Sequence, residues 1–223
     1  MSRNVLILRP QPGADRTAER AEAMGLSPVV APLFTIRPLD WQAPDRRFDA
    51  LLLTSANAPR QAGGGLTSFA DLPCFAVGEA TAEAARSAGL KQVRAGPRDA
   101  ADVLAMMAAE GVTSALHLRG REHRLPAQDG IEIVSVPVYA ADAVDKFPPA
   151  AASAVDAKAV TLFHSPRAAS LFAKLVGNRR EELAIAAISA AAVEAAGPGW
   201  AAIAVAAEPR DHALLEAAAK LCH

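Results

Sequence analysis

The chain has 223 residues, 52% of them hydrophobic but only 4% aromatic, with a formal net charge of −1. Much of the apolar content is alanine, so helices and a core of small residues are expected and disorder is excluded. The near-neutral charge excludes the broad basic footprint that nucleic acid or an anionic membrane requires.

No apolar run approaches the roughly 20 residues of a bilayer span, and neither end has a basic-then-apolar leader pattern, so a cytoplasmic protein with no membrane contact is expected. The two cysteines, Cys74 and Cys222, have no zinc-like or redox spacing, and the five histidines have no ligand-like spacing, so no metal is expected.

In chain order, residues 5–8 form a short apolar strand ending at Arg9-Pro10, followed by a helix over 15–24 that stops at Gly25. The stretch VVAPLFTIRPLD (29–40) is too apolar for a free linker and too broken by proline for a central strand, so it reads as a strand crossing between domains. A charged lead-in at 45–49 precedes the strand 50–54. After the turn Thr54-Ser55-Ala56-Asn57 a helix should begin, but Pro59 and Gly63-Gly64-Gly65 shorten it, and this loop is expected to be mobile. Strand 75–77, helix 79–87, strand 92–95 and helix 100–110 follow, the helices closed by Gly89 and Gly111. IEIVSVPVYAADAV (131–144) is a second crossing stretch. The chain then runs through strand 160–163, helix 167–176, strand 184–188, a helix from 190, strand 203–206 and helix 211–221.

The second half repeats the first. LLLTSANAPR (51–60) matches TLFHSPRAA (161–169), with Ser55 and Ser165 110 positions apart. FAVGEATAEAARSAG (75–89) matches AAISAAAVEAAGPG (186–199), and Pro97-Arg98-Asp99 matches Pro209-Arg210-Asp211. VLILRP (5–10) corresponds to ALHLRGR (115–121), and VVAPLF (29–34) to IVSVPVY (133–139). Alternating strands and helices in two copies predict two similar α/β domains with mostly parallel sheets. Ligands of such sheets sit outside the carboxyl ends of the strands, so the expected site faces both sets of loops in a cleft between the domains.

Most candidate residues carry two readings. The Thr54–Asn57 turn and Ser165 suit either an anion at a helix N-terminus or plain N-capping. Arg9 and Arg119, at equivalent strand ends, suit bidentate carboxylate recognition or a surface position beside a seam. The basic loop of Arg121, His123 and Arg124 reads more simply as a solvated turn. Gly78, with Ser189 as its equivalent, permits close approach of a ligand or forms a tight turn. Tyr139, the only tyrosine, is a hydrogen-bond donor or general acid, or else an interface filler, and its counterpart Phe34 lacks the hydroxyl. No GxGxxG, P-loop, HExxH, GxSxG or paired CxxC occurs, which leaves nucleotide, zinc and serine-hydrolase readings without a motif.

These segments, in this order and over essentially the whole chain, resemble the uroporphyrinogen-III synthase family. LILRP, LLLTSANAP, FAVGEATAEAARSAGL, LHLRGRE, VPVYAA, LFHSPRAASLF and AVAAEPRDHALLEAA carry the resemblance together, none of them being specific alone. It implies two flavodoxin-like domains with parallel sheets, joined by a two-stranded linker, the first unit exchanged between halves. Residues 1–35 would pack with 142–223, 40–136 would form the other domain, and 36–39 with 137–141 would be the linker strands. It also implies cofactor-free cyclisation of hydroxymethylbilane with inversion of ring D and loss of water, by a monomer. Transient contact with the enzyme that makes the bilane is a further expectation.

By the family pattern Tyr139 would assist departure of the hydroxyl, while Thr54, Ser55, Asn57, Gly78 and Ser165 would bind substrate carboxylates. Arg9 and Arg119 join them from strand-end position, and Ser189 stands where the family commonly has a glycine-proline-threonine run. His164 likewise replaces a small hydroxyl residue. Two other classes remain open from the residues: a non-catalytic bilobed module binding an anionic small molecule, and an electron carrier holding a flavin phosphate at the Thr54–Asn57 turn.

Overall fold

The computed structural model describes residues 4–96, 99–122, 125 and 130–222. The chain divides into two compact units, one of Met1–Thr35 with Asp142–His223 and the other of Ile36–Ala141. Both are mixed α/β, each built on a largely parallel sheet.

In the first unit the sheet contains β1 (Asn4–Ile7), β2 (Ser27–Val30), β9 (Val160–Phe163), β10 (Ala184–Ala187) and β11 (Ala202–Val205), in the order β11-β10-β9-β1-β2. All four pairings are parallel. Alternation sends Val5, Ile7, Val160 and Leu162 to one face, where they pack with Ala14 and Ala21 of α1 (Gly13–Ala23) and Leu214 and Leu215 of α8 (Asp211–Ala219). Phe163 points to the other face and meets Phe172 of α6 (Pro166–Val176) and Trp200, with ring centroids 5.6 and 5.9 Å away. Burial on both faces explains the near-continuous apolar runs of β1 and β10 and of β9 apart from Thr161. Helix α5 (Pro149–Asp156) lies in a stretch to which the sequence reading assigns no element; Pro148 and Pro149 at its start and an alanine-rich body are its signals.

The second unit contains β3 (Phe34–Pro38), β4 (Ala50–Leu53), β5 (Pro73–Val77), β6 (Gln92–Gly96), β7 (Ser114–Gly120) and β8 (Glu132–Ala143), in the order β3-β8-β7-β4-β5-β6. From β8 to β6 the pairings are parallel. Strand β3 runs the other way along β8: Leu39 donates to Val138 at 3.0 Å and Val144 to Leu33 at 3.0 Å, so one number rises as the other falls. β3 and β8 are the two strands that pass from one unit into the other. Leu51, Leu53, Leu116 and Leu118 face α2 (Asn57–Gln61) and α3 (Glu79–Ser87), whereas Leu52, Phe75 and Ala115 face Val103, Leu104 and Met107 of α4 (Ala100–Ala109). The helix that the repeat places between β7 and β8 falls largely on residues outside the description.

The glycine run differs from expectation. Gly63–Phe69 is a 3-10 helix with Leu66 and Phe69 buried, not a mobile loop. Trp41 donates its indole N–H to the Ala62 carbonyl at 2.8 Å and stacks on Phe69. A Cβ at Gly65 would lie 2.7 Å from the Trp41 ring, so the glycine is there to admit the indole. The remaining α7 (Ala190–Ala196) is short and rests on β10 and β11 beside α6.

Candidate functional site

Parallel sheets gather ligands beyond the carboxyl ends of their strands, above all where the strand order changes direction. That point lies between β1 and β9 in the first unit and between β4 and β7 in the second. Arg9, Thr54, Ser55, Arg119 and Ser165 stand at or just past the ends of these strands, Gly78 and Ser189 just past β5 and β10, and Tyr139 lies within β8; each unit is taken by itself.

In the second unit, β4 is followed directly by Thr54, whose Oγ1 lies 3.0 Å from Nε2 of His117 on β7. His117 is fully buried, and its Nδ1 lies 3.1 Å from the Ser135 hydroxyl on β8. Register produces this line: His117 pairs with Leu52 on one side and Ser135 on the other, and Thr54, two residues past Leu52, shares its face. Ser55 Oγ accepts the Asn57 N–H at 3.2 Å, while its carbonyl accepts from Ala58 at 3.0 Å. A hydroxyl that accepts one N–H keeps its own hydrogen to donate, so this local hydrogen bond is compatible with anion binding, while the N-cap position of α2 is Ala56 and carries no side-chain cap.

Gly78 has φ 75° and ψ 157°, a backbone that essentially only glycine adopts. Its N–H donates to Gly96 at 3.3 Å and its carbonyl accepts from Thr81 and Ala82. The turn at Gly78 is thus a tight one, and with the Thr81 N–H used by the Gly78 carbonyl, the first-turn N–H groups of α3 left for a ligand are those of Glu79 and Ala80. Arg119 folds back on its own loop, with Nη1 donating to the carbonyls of Gly120 at 2.9 Å and Arg121 at 2.7 Å. His123 and Arg124 lie outside the described residues.

Tyr139 sits beside a register break. Arg119 pairs with Pro137 but Gly120 pairs with Tyr139, so Val138 is the extra residue of a bulge. Pro137 has no N–H for the ladder, which favours an irregularity there. The bulge lets Val138, Tyr139 and Ala140 all be buried despite their alternation. The phenol ring lies over Gly120: a Cβ on that glycine would be 2.8 Å from Tyr139 Cζ and 2.9 Å from its oxygen.

In the first unit the same positions form an ionic network that the sequence reading does not anticipate. Asp211, the first residue of α8, receives Arg9 at 3.4 Å, Thr17 at 2.8 Å and His164 Nε2 at 2.8 Å on Oδ1, and Arg20 at 2.7 Å on Oδ2. Burial pushes the Asp211 carboxyl up, but the hydrogen bonds from His164, Arg20 and Thr17 together outweigh it and hold the group well below the usual carboxylate range. Burial pushes His164 down, against the pull of Asp211, so the ring favours its neutral form. Arg9 is lowered by burial too, with Asp211 opposing. The carboxylate expected of a ligand is thus already supplied to Arg9 from within the chain. Ser165 caps α6, its hydroxyl accepting from Ala168 at 3.2 Å, and Ser189 caps α7, accepting from Ala192 at 3.4 Å.

Two residues important to these sites were not predicted as such. Asp211 appears in the sequence only as the repeat partner of Asp99, yet Asp99 caps α4 by accepting from Ala101 at 2.7 Å while Asp211 gathers cations. His117 does carry a signal, a polar residue at an inward position of the apolar strand ALHLRG. Among the described residues no group of three or more His, Cys, Asp or Glu side chains could hold a metal ion, and no helix is long and apolar enough to cross a membrane.

A parallel α/β protein with hydroxyl-bearing turns at its strand ends is the class that fold and site define. Residues 15–216 match the family described as uroporphyrinogen-III synthase HemD, and the chain belongs to that family, whose members are cyclising lyases. No curated protein matches the sequence. Among solved structures, the uroporphyrinogen-III synthetase of Helicobacter pylori is similar with a TM-score of 0.66 at 18% identity, covering 98% of this chain and 99% of that one. A mutant uroporphyrinogen III synthase of Thermus thermophilus is similar with a TM-score of 0.54 at 15% identity, covering 96% of each chain. At these identities the structural likeness speaks to the fold.

Proposed function

We propose that the chain closes hydroxymethylbilane to uroporphyrinogen III, inverting ring D, without a cofactor. The family match over residues 15–216 carries this reading. In the reaction the terminal hydroxyl leaves as water to give an azafulvene, ring D attacks through its substituted carbon, and the spiro intermediate fragments and recloses. The net change is loss of water with no oxidation or reduction, so the chemistry calls for no electron carrier. Because the bilane cyclises unaided to the other isomer, the protein's work is mainly to hold one geometry.

The substrate's many carboxylates suit the hydroxyls of Thr54, Ser55, Ser165 and Ser189, together with Asn57 and the first-turn N–H groups after Gly78. Tyr139 is taken in this reading as the donor to the departing hydroxyl, since a phenol O–H can donate a hydrogen bond or a proton to a leaving group. Arg119 ties down the end of β7 at Gly120 and Arg121, and Arg9 offers a ligand only the part of its guanidinium that Asp211 leaves uncommitted. The strand orders support two flavodoxin-like units with the first strand-helix unit exchanged, and the chain is read as a cytoplasmic monomer that takes its substrate from a bilane-producing enzyme.

The deciding experiment is conversion of hydroxymethylbilane to the type III isomer by the purified chain. Formation of the type I isomer alone, at the rate seen without protein, would sink the reading. Tyr139→Phe keeps the ring, and a fall in turnover of about a hundredfold or more with product binding intact is expected of a general acid. A change of only a few fold assigns the phenol to positioning.

A further inference from the structure

Thr54, His117 and Ser135 form an unbroken line of hydrogen-bonding groups across three neighbouring strands, with contacts of 3.0 and 3.1 Å. Its two ends differ: Thr54 stands at the carboxyl end of β4, Ser135 is on the exposed side of β8, and the imidazole between them is fully buried. A neutral imidazole has one N–H to share between two hydroxyls, and the choice sets the polarity of the whole line. With the proton on Nε2, His117 donates to Thr54, Ser135 donates to Nδ1, and the Thr54 hydrogen is left to point outward. With the proton on Nδ1, Thr54 must donate inward, and only its lone pairs face a ligand. Ser135 is exposed and can turn its hydroxyl in exchange for water, so little opposes the first arrangement.

We propose that His117 is a positioning residue for anion recognition: its Nε2–H form holds Thr54 as an outward hydrogen-bond donor to a substrate carboxylate. The proposal rests on the reading of Thr54 as a carboxylate ligand. It gives a buried histidine between Leu116 and Leu118 of β7 a use beyond satisfying its own ring.

The test is steady-state kinetics with hydroxymethylbilane for Thr54→Val, His117→Leu and the double variant, with thermal midpoints alongside. Each single change should raise KM by about tenfold, the worth of one hydrogen bond to a charged group, and leave kcat within about twofold. His117→Leu should add nothing in the Thr54→Val background, and His117→Gln, which retains a donor, should recover most of the loss. A His117→Leu protein with a lowered midpoint but unchanged KM overturns the proposal, as do fully additive effects.

Nitrogen-15 spectra of histidine-labelled protein with uroporphyrinogen III give a second readout. The resonance missing from His117→Leu should report the Nε2–H form; an Nδ1–H form in the product-bound protein overturns the idea. Active wild type with unaltered KM in His117→Leu sinks this proposal alone, whereas inactive wild type sinks the functional reading and this proposal with it.

Discussion

Thr161 lies in the middle of β9, fully buried, and its hydroxyl has no hydrogen-bond partner among the described residues. An unsatisfied buried hydroxyl costs free energy that an isosteric methyl does not. Thr161→Val is therefore expected to stabilise the protein by about 1 kcal/mol in a denaturant titration; a loss of that size would mean the hydroxyl is satisfied after all. Gly120 makes the opposite case, a small residue whose missing side chain leaves room for the Tyr139 ring. An added Cβ would meet the Tyr139 ring at 2.8 Å, so Gly120→Ala must displace the phenol. Misplacement by about 1 Å costs on the order of a hundredfold, so turnover should fall by at least about tenfold with the tyrosine still present. Wild-type turnover in Gly120→Ala would remove Tyr139 from the chemistry. The candidacy of Tyr139 was legible because it is the only phenol, but its neighbour was not: a glycine at a strand end looks the same whether it serves a turn or a ring.

Helix α8 begins at Asp211 and is tied there to β1, β9 and α1 by Arg9, His164, Thr17 and Arg20. Because burial lowers the folded-state pKa of His164, the unfolded chain takes up a proton that the folded chain resists as pH falls past about 6.5. This contribution to stability is thus complete above that pH and is lost on acidification, with a slope of at most about 1.4 kcal/mol per pH unit from this one group. Asp211, also depressed, adds a loss in the same direction only once the carboxylate range is reached. Replacing His164 with Thr should flatten the stability profile between pH 7 and 5; an unchanged slope would place the titration elsewhere. At α6 the bland reading of Ser165 is realised, and Ser165→Ala should cost about 1 kcal/mol through the cap alone, measured by chemical denaturation.

Over the whole molecule, each unit encloses its own cores, with Phe163, Phe172 and Trp200 clustered in the first and Leu116, Leu118 and Phe69 in the second. Separate cores argue against a single all-or-none transition. Calorimetry is expected to give a total enthalpy exceeding the van't Hoff value. Phe163→Ala and Leu118→Ala, each costing about 2–5 kcal/mol, should lower different components. One sharp transition shifted equally by both would show that the units unfold as one.

What the sequence determined by itself was local and repetitive: short β-branched and aliphatic runs, helices closed by glycine, and the doubling of the pattern. The family resemblance followed from the order of those segments, and the match over residues 15–216 bears it out. Periodicity and turn chemistry act over a few residues, so they survive in the bare chain. The tertiary structure decided which strands are neighbours and therefore which side chains meet. His117 finds Thr54 63 residues away and Ser135 18 away, and Asp211 gathers Arg9, 202 positions distant, with His164 at 47. The bulge at Val138 depends in the same way on the register of β7 against β8. Such contacts come from strand pairing over long separations, and two aspartates that align in the repeat can end with different partners because only the fold supplies them.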